Sequence, residues 1–380
     1  MKGWLAILLL SLATTAPAHA HKASDAYLTL ERDGTALRGQ WDIALRDLDN
    51  VLALDANGDG QVTWGELRAR HADIAAYALA RLKIASGGQP CPLRADAHLV
   101  DAHTDGAYAV MSLSGQCAEA ARTLAIDYTL FADVDPQHRG LLNLVEKGAS
   151  RSHVFGVDAP RQVVGGGSGS ALGQLATYVH EGVWHIWLGY DHILFLVSLL
   201  LPAVLVRRAR AWHAAASFRA SFVEVAKVVT AFTAAHSITL TLAALGVVAL
   251  PSRWVESAIA LSVVLAALNN LFPVVRSGRW IAAFAFGLLH GFGFAGALQD
   301  LGLPTEGLAL SLAGFNLGVE LGQLAIVAAF LPLAYAFRAT TTYRRVVLAG
   351  GSAVVAAVAA VWLAERALDV PLFAALAAVR

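Results

Sequence analysis

The sequence predicts an α-helical polytopic membrane protein of about six transmembrane helices. An N-terminal mixed, mostly β extracytoplasmic domain with one EF-hand-like loop precedes them. Three observations predict this. Hydrophobic residues make up 57% of the 380 positions and charged residues only 15%, against roughly 25% charged in an average soluble protein. The apolar residues concentrate after residue 175, in segments long enough to cross a bilayer. Residues 21–164 instead carry frequent charges and no long apolar run. The composition excludes a disordered chain, which needs low hydrophobicity and high charge. Basic and acidic residues balance at 28 each, leaving no basic excess to neutralise nucleic-acid phosphates. Two cysteines exclude a disulfide-dense scaffold.

Residues 1–20 read as a secretory signal peptide. Lys2 supplies the positive start, Trp4 to Leu12 the short apolar core, and Ala18-His19-Ala20 the cleavage site. An uncleaved anchor is the alternative. In the domain that follows, 21–164, the alternation in Asp25–Glu31 and Thr123–Phe131 predicts half-buried strands. Leu67, Ile74, Leu79 and Leu82 predict one helical insertion over Thr63–Ile84. Cys91 and Cys117 flank a hairpin and, behind a signal peptide, are expected to pair as a disulfide. Two buried thiols are the alternative.

A Gly/Ser linker is expected over 165–175, the transmembrane domain over 176–366 and an extracytoplasmic tail over 367–380. The six spans fall at about 185–206, 222–249, 254–274, 280–299, 308–336 and 344–364. Each supplies the ~20 helical residues that a core of about 30 Å requires. Arg207, Arg208, Arg210 and Arg219 follow the first span, Arg276 and Arg279 the third, and Arg338, Arg344 and Arg345 the fifth. The positive-inside rule puts these loops in the cytoplasm of a bacterial-type inner membrane, with both mature termini outside.

Asp55, Asn57, Asp59, Gln61, Thr63 and Glu66 stand at the ligand positions of a twelve-residue EF-hand loop, with Gly60 at its sharp turn. Asp55, Asn57 and Asp59 would give side-chain oxygens and Gln61 a backbone carbonyl. Thr63 would give a side chain or a water, and Glu66 a bidentate carboxylate. Calcium is the expected cofactor, acting as a structural clamp. An acidic surface turn is the alternative.

Ionisable groups at membrane depth are functional candidates by default. The first span holds His185, Asp191 and His192, the second His236, the fourth His290 and the fifth Glu320. At about 1.5 Å per residue, these groups fall in the middle and outer half of the bilayer. On the fifth span Gly314, Gly318 and Gly322 form a close-packing face. Asn316, Glu320 and Gln323 lie roughly opposite. Asn269, Asn316 and Gln323 are candidate pathway residues. Imidazoles with carboxylates suit a borderline divalent transition metal. His185 and His192 would stand about 10 Å apart on a regular helix, and share one ion only if the helix opens, as Gly189 would allow. The alternative is that each buried histidine only bridges helices. Glu224 and Lys227, spaced i,i+3, read as an ion pair.

At these residues the chain resembles the HupE/UreJ family of membrane proteins. The family's first-span motif H-P-x-x-G-x-D-H reads here His185-Ile186-Trp187-Leu188-Gly189-Tyr190-Asp191-His192, with isoleucine in place of proline. A second signature is similar to His290-Gly291. The match covers about 180–340, and the leading domain resembles that of the family's longer branch. The resemblance implies inward permeation of a divalent metal, Ni2+ or Co2+, associated with hydrogenase and urease maturation. The expected partners are the lipid bilayer, the metal ion and a protein partner for the extracytoplasmic domain. No enzymatic activity is expected. The competing classes are a non-transporting receptor or assembly factor, and an intramembrane metal enzyme holding a catalytic ion on the same residues.

Overall fold

The computed structural model describes residues 24–103, 106–146, 149–165, 171–208, 211–275, 277–293 and 305–368. The expected signal peptide and most of the expected C-terminal tail lie outside the described residues. Two sheets build the N-terminal domain. Strands β1 (Asp25–Asp33), β2 (Ala36–Ala44), β5 (Leu93–His103), β6 (Gly106–Gln116), β8 (Arg139–Glu146) and β9 (Ala149–Phe155) form a six-stranded sheet. Its order is β5-β6-β2-β1-β8-β9, antiparallel except for the parallel β1–β8 pair. Strands β3 (Leu82–Ser86), β4 (Gln89–Pro90), β7 (Thr123–Tyr128) and β10 (Arg161–Gly165) form the second, in the order β10-β7-β3-β4. Three short helices, α1 (Leu45–Leu52), α2 (Trp64–Ala69) and α3 (His71–Ala80), connect β2 to β3.

Leu28, Leu30, Trp41 and Ile43 of the first sheet meet Leu82, Ile84, Leu124 and Ile126 of the second in one core. Leu48, Leu67 and Ile74 of the helices join it. The disulfide joins Cys91 to Cys117 and brackets the β5–β6 hairpin. The helix expected over Thr63–Ile84 is shorter and broken. Arg70 leaves helical geometry (φ −108°, ψ 11°) between α2 and α3, and Leu82–Ile84 are strand. Leu82 and Ile84 are buried and Lys83 between them is exposed, which is the period of a strand. Helix α1 has no counterpart in the sequence reading. The strand expected to run to Phe131 ends at Tyr128, because Phe131 turns the chain at φ 55°.

The second half is helical: α4 (Ala171–Leu188), α5 (Tyr190–Leu200), α6 (Phe218–Ala244), α7 (Ser252–Leu271), α8 (Arg279–His290), α9 (Thr305–Phe337) and α10 (Gly351–Leu368). A π-helical stretch, Tyr343–Gly350, leads into α10. Among the described residues four helices are long and apolar enough to cross a membrane: Phe218–Ala244, Ser252–Leu271, Leu308–Phe337 and Tyr343–Leu368. The pair α4–α5, bent by 72° at Gly189, makes a fifth if counted as one broken span. Of the expected span 280–299, α8 accounts for residues up to His290, and 294–299 lie outside the described residues. The first span also begins earlier than expected. Residues 171–175, assigned to the linker, are already helix, Gly165 closes β10, and residues 205–206 belong to a hairpin of β11 (Leu205–Arg208) and β12 (Ala211–Ala214). Large apolar side chains stand exposed around the bundle, among them Trp254, Ile281, Leu333 and Val354. A soluble surface avoids such a belt, whereas hydrocarbon accepts it.

The sheet sits directly on one end of the bundle. Along β1, Ala26, Leu28 and Leu30 enter the domain core. Tyr27, on the opposite face, joins Tyr108, Leu141 and Val154 in a cluster with Ile186 of α4, Leu240 of α6 and Phe315 of α9. The first residues of β1 are therefore buried on both faces rather than half-buried. Arg139 pairs with Glu181 of α4 at 3.7 Å, and Asp158 with His180 at 3.6 Å.

Candidate metal centre

The break at Gly189 organises the centre. Gly189 takes ψ 93°, outside helical range, and glycine disfavours helix interiors through its backbone entropy. Asp191, in the first turn of α5, accepts the His192 backbone N–H at 2.8 Å, and a carboxylate there suits the positive end of the helix dipole. A methyl group on Gly189 would stand 2.7 Å from the His185 carbonyl and 2.8 Å from His192 Nδ1, so the turn needs a residue without Cβ. The turn brings the His185 and His192 rings to a centroid distance of 4.6 Å, where a regular helix would hold them about 10 Å apart.

His236 of α6 and His290 of α8 complete the group. Its ring stands 6.3 Å from that of His192 in the first case and 5.1 Å in the second. One nitrogen from each of His185, His192 and His236 lies within 4.8 Å of the others. His236 and His290 are fully buried, and His192 is nearly so.

The hydrogen bonds determine which nitrogen each ring presents. His192 Nδ1 lies 2.9 Å from Asp191 Oδ1, an acceptor, so Nδ1 carries the proton. Asn316 donates from its amide to the Leu312 carbonyl at 2.9 Å, so its oxygen faces His236 Nδ1 at 3.4 Å. Ser262 donates its hydroxyl proton to the Ile259 carbonyl at 2.6 Å, so it accepts from His290 Nε2 at 2.9 Å. The remaining nitrogens are His192 Nε2, His236 Nε2 and His290 Nδ1. Among the described residues all three are buried without a hydrogen-bond partner. A buried polar atom left so costs ~1–3 kcal/mol. Three imidazoles, each held through one nitrogen, have the outer-shell arrangement of metal-ligating histidines.

Asp191 also faces Arg366 of α10, whose guanidinium lies 3.6 Å from Oδ2. Arg366 in turn donates to the Glu256 backbone carbonyl at 3.2 Å. The carboxylate is thus balanced by a cation from the last helix.

Glu320 does not join the imidazoles. It accepts from Thr230 at 3.1 Å, six residues from His236 and so about 9 Å along α6. Between them Thr233 donates to Gln323 at 3.1 Å. Asn316, Gln323 and Glu320 thus form three polar rungs between α9 and α6, starting at His236. Gly314, Gly318 and Gly322 lie against α4 on the other side, where a methyl on Gly322 would meet Val183 at 3.3 Å. Asn269 belongs elsewhere. Its oxygen accepts from the backbone N–H of Val274 and Val275, at 2.9 and 2.8 Å, and so ties the end of α7. Glu224 and Lys227 pair at 3.1 Å.

The acidic loop 55–66 follows α1 and runs into the first turn of α2. Asp55 accepts from Gly58 and Gly60 backbone N–H groups at 2.8 and 2.7 Å, Asn57 from Asp59 at 2.9 Å, and Asp59 from Gln61 at 2.9 Å. Gly60 takes φ 81°, the left-handed region that glycine enters without strain. Glu66 folds back across the loop, accepting from Ala56 at 2.9 Å through Oε1 and from the Thr63 backbone at 2.8 Å through Oε2. The bonds from Thr63 are the main cause that holds the Glu66 carboxyl below its usual pKa. Thr63 and Glu66 together form a capping box on α2. The Thr63-x-x-Glu66 spacing carries that signal in the sequence, and the EF-hand reading passed over it.

Residues 165–366 match the model of the HupE / UreJ protein family, more than half of the chain. The chain belongs to the HupE/UreJ family. The HupE/UreJ family is linked to nickel and cobalt uptake, as a transporter and accessory family rather than a known enzyme family. No curated protein matches the chain. The HupE/UreJ segment contains all four histidines of the centre. Ile186, at the position of the motif's proline, is fully buried. Ser262, Thr230, Thr233 and Arg366 are neighbours that the sequence reading missed. A hydroxyl on an apolar helix has no periodic signal, and an arginine at a helix end reads as an interfacial anchor.

Proposed function

We propose that this protein carries a divalent first-row transition metal, nickel or cobalt, inward across a bacterial-type inner membrane. The observation that carries the reading is the group His185, His192 and His236, one nitrogen of each within 4.8 Å of the others, with the buried ring of His290 packed against His192. Imidazole suits nickel, cobalt, copper and zinc, and the absence of thiolates in the set favours binding that can be released. Asp191 supplies charge beside His192, and His185 stands across the break. From His236 the polar rungs of Asn316, Thr233–Gln323 and Thr230–Glu320 offer oxygen donors along the α6–α9 seam toward the end of the bundle away from the sheet. Six spans, with α8 standing in the fourth, would put the arginine-rich loops in the cytoplasm and the β domain outside.

In that domain the loop 55–66 suits calcium. Its donors are oxygens throughout, three of them carboxylates, and hard oxygen ligands are what calcium takes. Asp55, Asn57, Asp59, Gln61 and Glu66 would hold the ion and brace α1 against α2.

Uptake of Ni2+ or Co2+ into proteoliposomes tests the transport reading. Wild type should load the vesicles and His192→Ala should not. Uptake that survives His192→Ala rejects this site. Failure of wild type to carry any divalent metal would point to a receptor or assembly factor instead.

A further inference from the structure

We infer that the β domain is a working part of the metal centre, and that Gln137 is the residue through which it positions the broken span. This rests on the metal-binding reading of the centre. A break in a helix releases backbone groups that must find other partners. At Gly189 the His192 N–H turns to Asp191 Oδ1. The Leu188 carbonyl, which a continuous helix would pair with that N–H, accepts from Gln137 Nε2 at 3.2 Å instead. Gln137 belongs to the β domain, in the turn before β8. The domain therefore completes the hydrogen bonding of the break that juxtaposes His185 and His192.

The turn that carries Gln137 is held from behind. Asp135 Oδ1 accepts the Gln137 backbone N–H at 2.8 Å, and Pro136 restricts the intervening φ. The next residue, His138, is buried in the domain. Its Nδ1 lies 2.6 Å from Ser24 Oγ, and Tyr128 donates to its Nε2 at 2.8 Å. Ser24 donates onward to Asp47 of α1 at 2.8 Å. Arg139, on the far side of His138, pairs with Glu181 one face up α4. Three consecutive residues thus alternate between bundle and domain core: Gln137 and Arg139 reach α4, and His138 anchors both. Gln137 acts on the metal only through the break, as a positioning residue.

The test uses the full chain in detergent, with Co2+ alone as probe. Gln137→Met keeps the side-chain length and removes the amide. Gln137→Glu keeps the shape and polarity but cannot donate to a carbonyl. Both should weaken Co2+ binding about tenfold, as loss of an outer-shell partner does, and both should shift the visible ligand-field bands of the bound ion. Hydrogen exchange in the segment 186–194 should be faster in both variants without metal. Wild-type affinity, bands and exchange in the two variants would overturn the inference. His192→Ala separates the two readings. If it binds Co2+ like wild type, the imidazole site fails. The metal-free exchange then decides the fate of the Gln137 clamp alone, unchanged exchange rejecting it and faster exchange upholding it.

Discussion

His138 shows how burial sets the chemistry of a single residue. Its ring is enclosed in the domain core and its pKa is lowered to about 3, chiefly by desolvation and then by the neighbouring Arg139 charge. The folded state needs the neutral imidazole, which donates to Ser24 and accepts from Tyr128. An unfolded chain protonates it at its ordinary value near 6.5. A depressed folded pKa contributes stability that is whole above about 6.5 and is lost as the pH falls toward about 3. The slope is ~1.4 kcal/mol per pH unit. Thermal melts of the protein between pH 7 and pH 4 should show this loss, and His138→Gln should flatten it. Glu66 makes a second claim at this scale. Glu66→Gln retains the capping box with Thr63 but removes the bidentate carboxylate. The calcium-dependent rise in Tm should vanish while the calcium-free Tm stays near wild type, both read by calorimetry. An undiminished calcium response would remove the loop from the list of calcium sites. Residues with local spacing were legible in the sequence: the loop 55–66 and the His185–His192 motif. Ser262, Gln137 and Arg366 were not, because each acts on a partner far along the chain and no periodicity marks it.

At the scale of elements, the repeat of Gly314, Gly318 and Gly322 foretold a close helix pair, and α4 lies there. A methyl on Gly318 would collide with the Val179 backbone. Gly318→Leu should therefore force α4 and α9 apart at a cost of about 1–3 kcal/mol or more, seen as a lower Tm in detergent. An unchanged Tm would mean that the two helices do not rely on that contact. The apolar pattern placed the long spans within a few residues, since burial in hydrocarbon needs only length and composition. It failed where two signals overlap. Leu79 and Leu82 fit a helix and Leu82 and Ile84 fit a strand, and pairing with β7 decides for the strand. Helix α4 began early because its first turns meet the β domain and α9 rather than lipid, so they did not register as a span. The bend at Gly189 was legible as a possibility, in a glycine flanked by histidines. Its size depends on Gln137, Asp191 and the packing of α4.

For the molecule as a whole, the zero net charge conceals a division between its two ends. The arginine-rich loops lie at the end away from the sheet, and the acidic loop lies in the sheet domain. Both native cysteines are in the disulfide, so an introduced thiol can be read cleanly. In intact cells, Lys83→Cys should react with an impermeant maleimide and Arg345→Cys only after permeabilisation. The reverse pattern would invert the orientation. The two-domain plan was legible from composition alone. Their joining was not: the sheet face carrying Tyr27, Tyr108 and Leu141 looks like an ordinary strand pattern until the bundle covers it.

The bend also has an electrical side. Helix α5 has eleven residues and extends only about 16 Å, roughly half of a bilayer's hydrocarbon core. In the proposed six-span arrangement an ion held at its start would sit within the membrane field rather than at its edge. Each elementary charge carried across the whole field gains or loses about 2.3 kcal/mol per 100 mV. A dication that stops part-way takes its share of that work with two charges. In the transport reading proposed above, occupancy of the imidazoles would depend on membrane voltage as well as on metal concentration, and an energised cell would fill the centre at lower outside metal than a depolarised one.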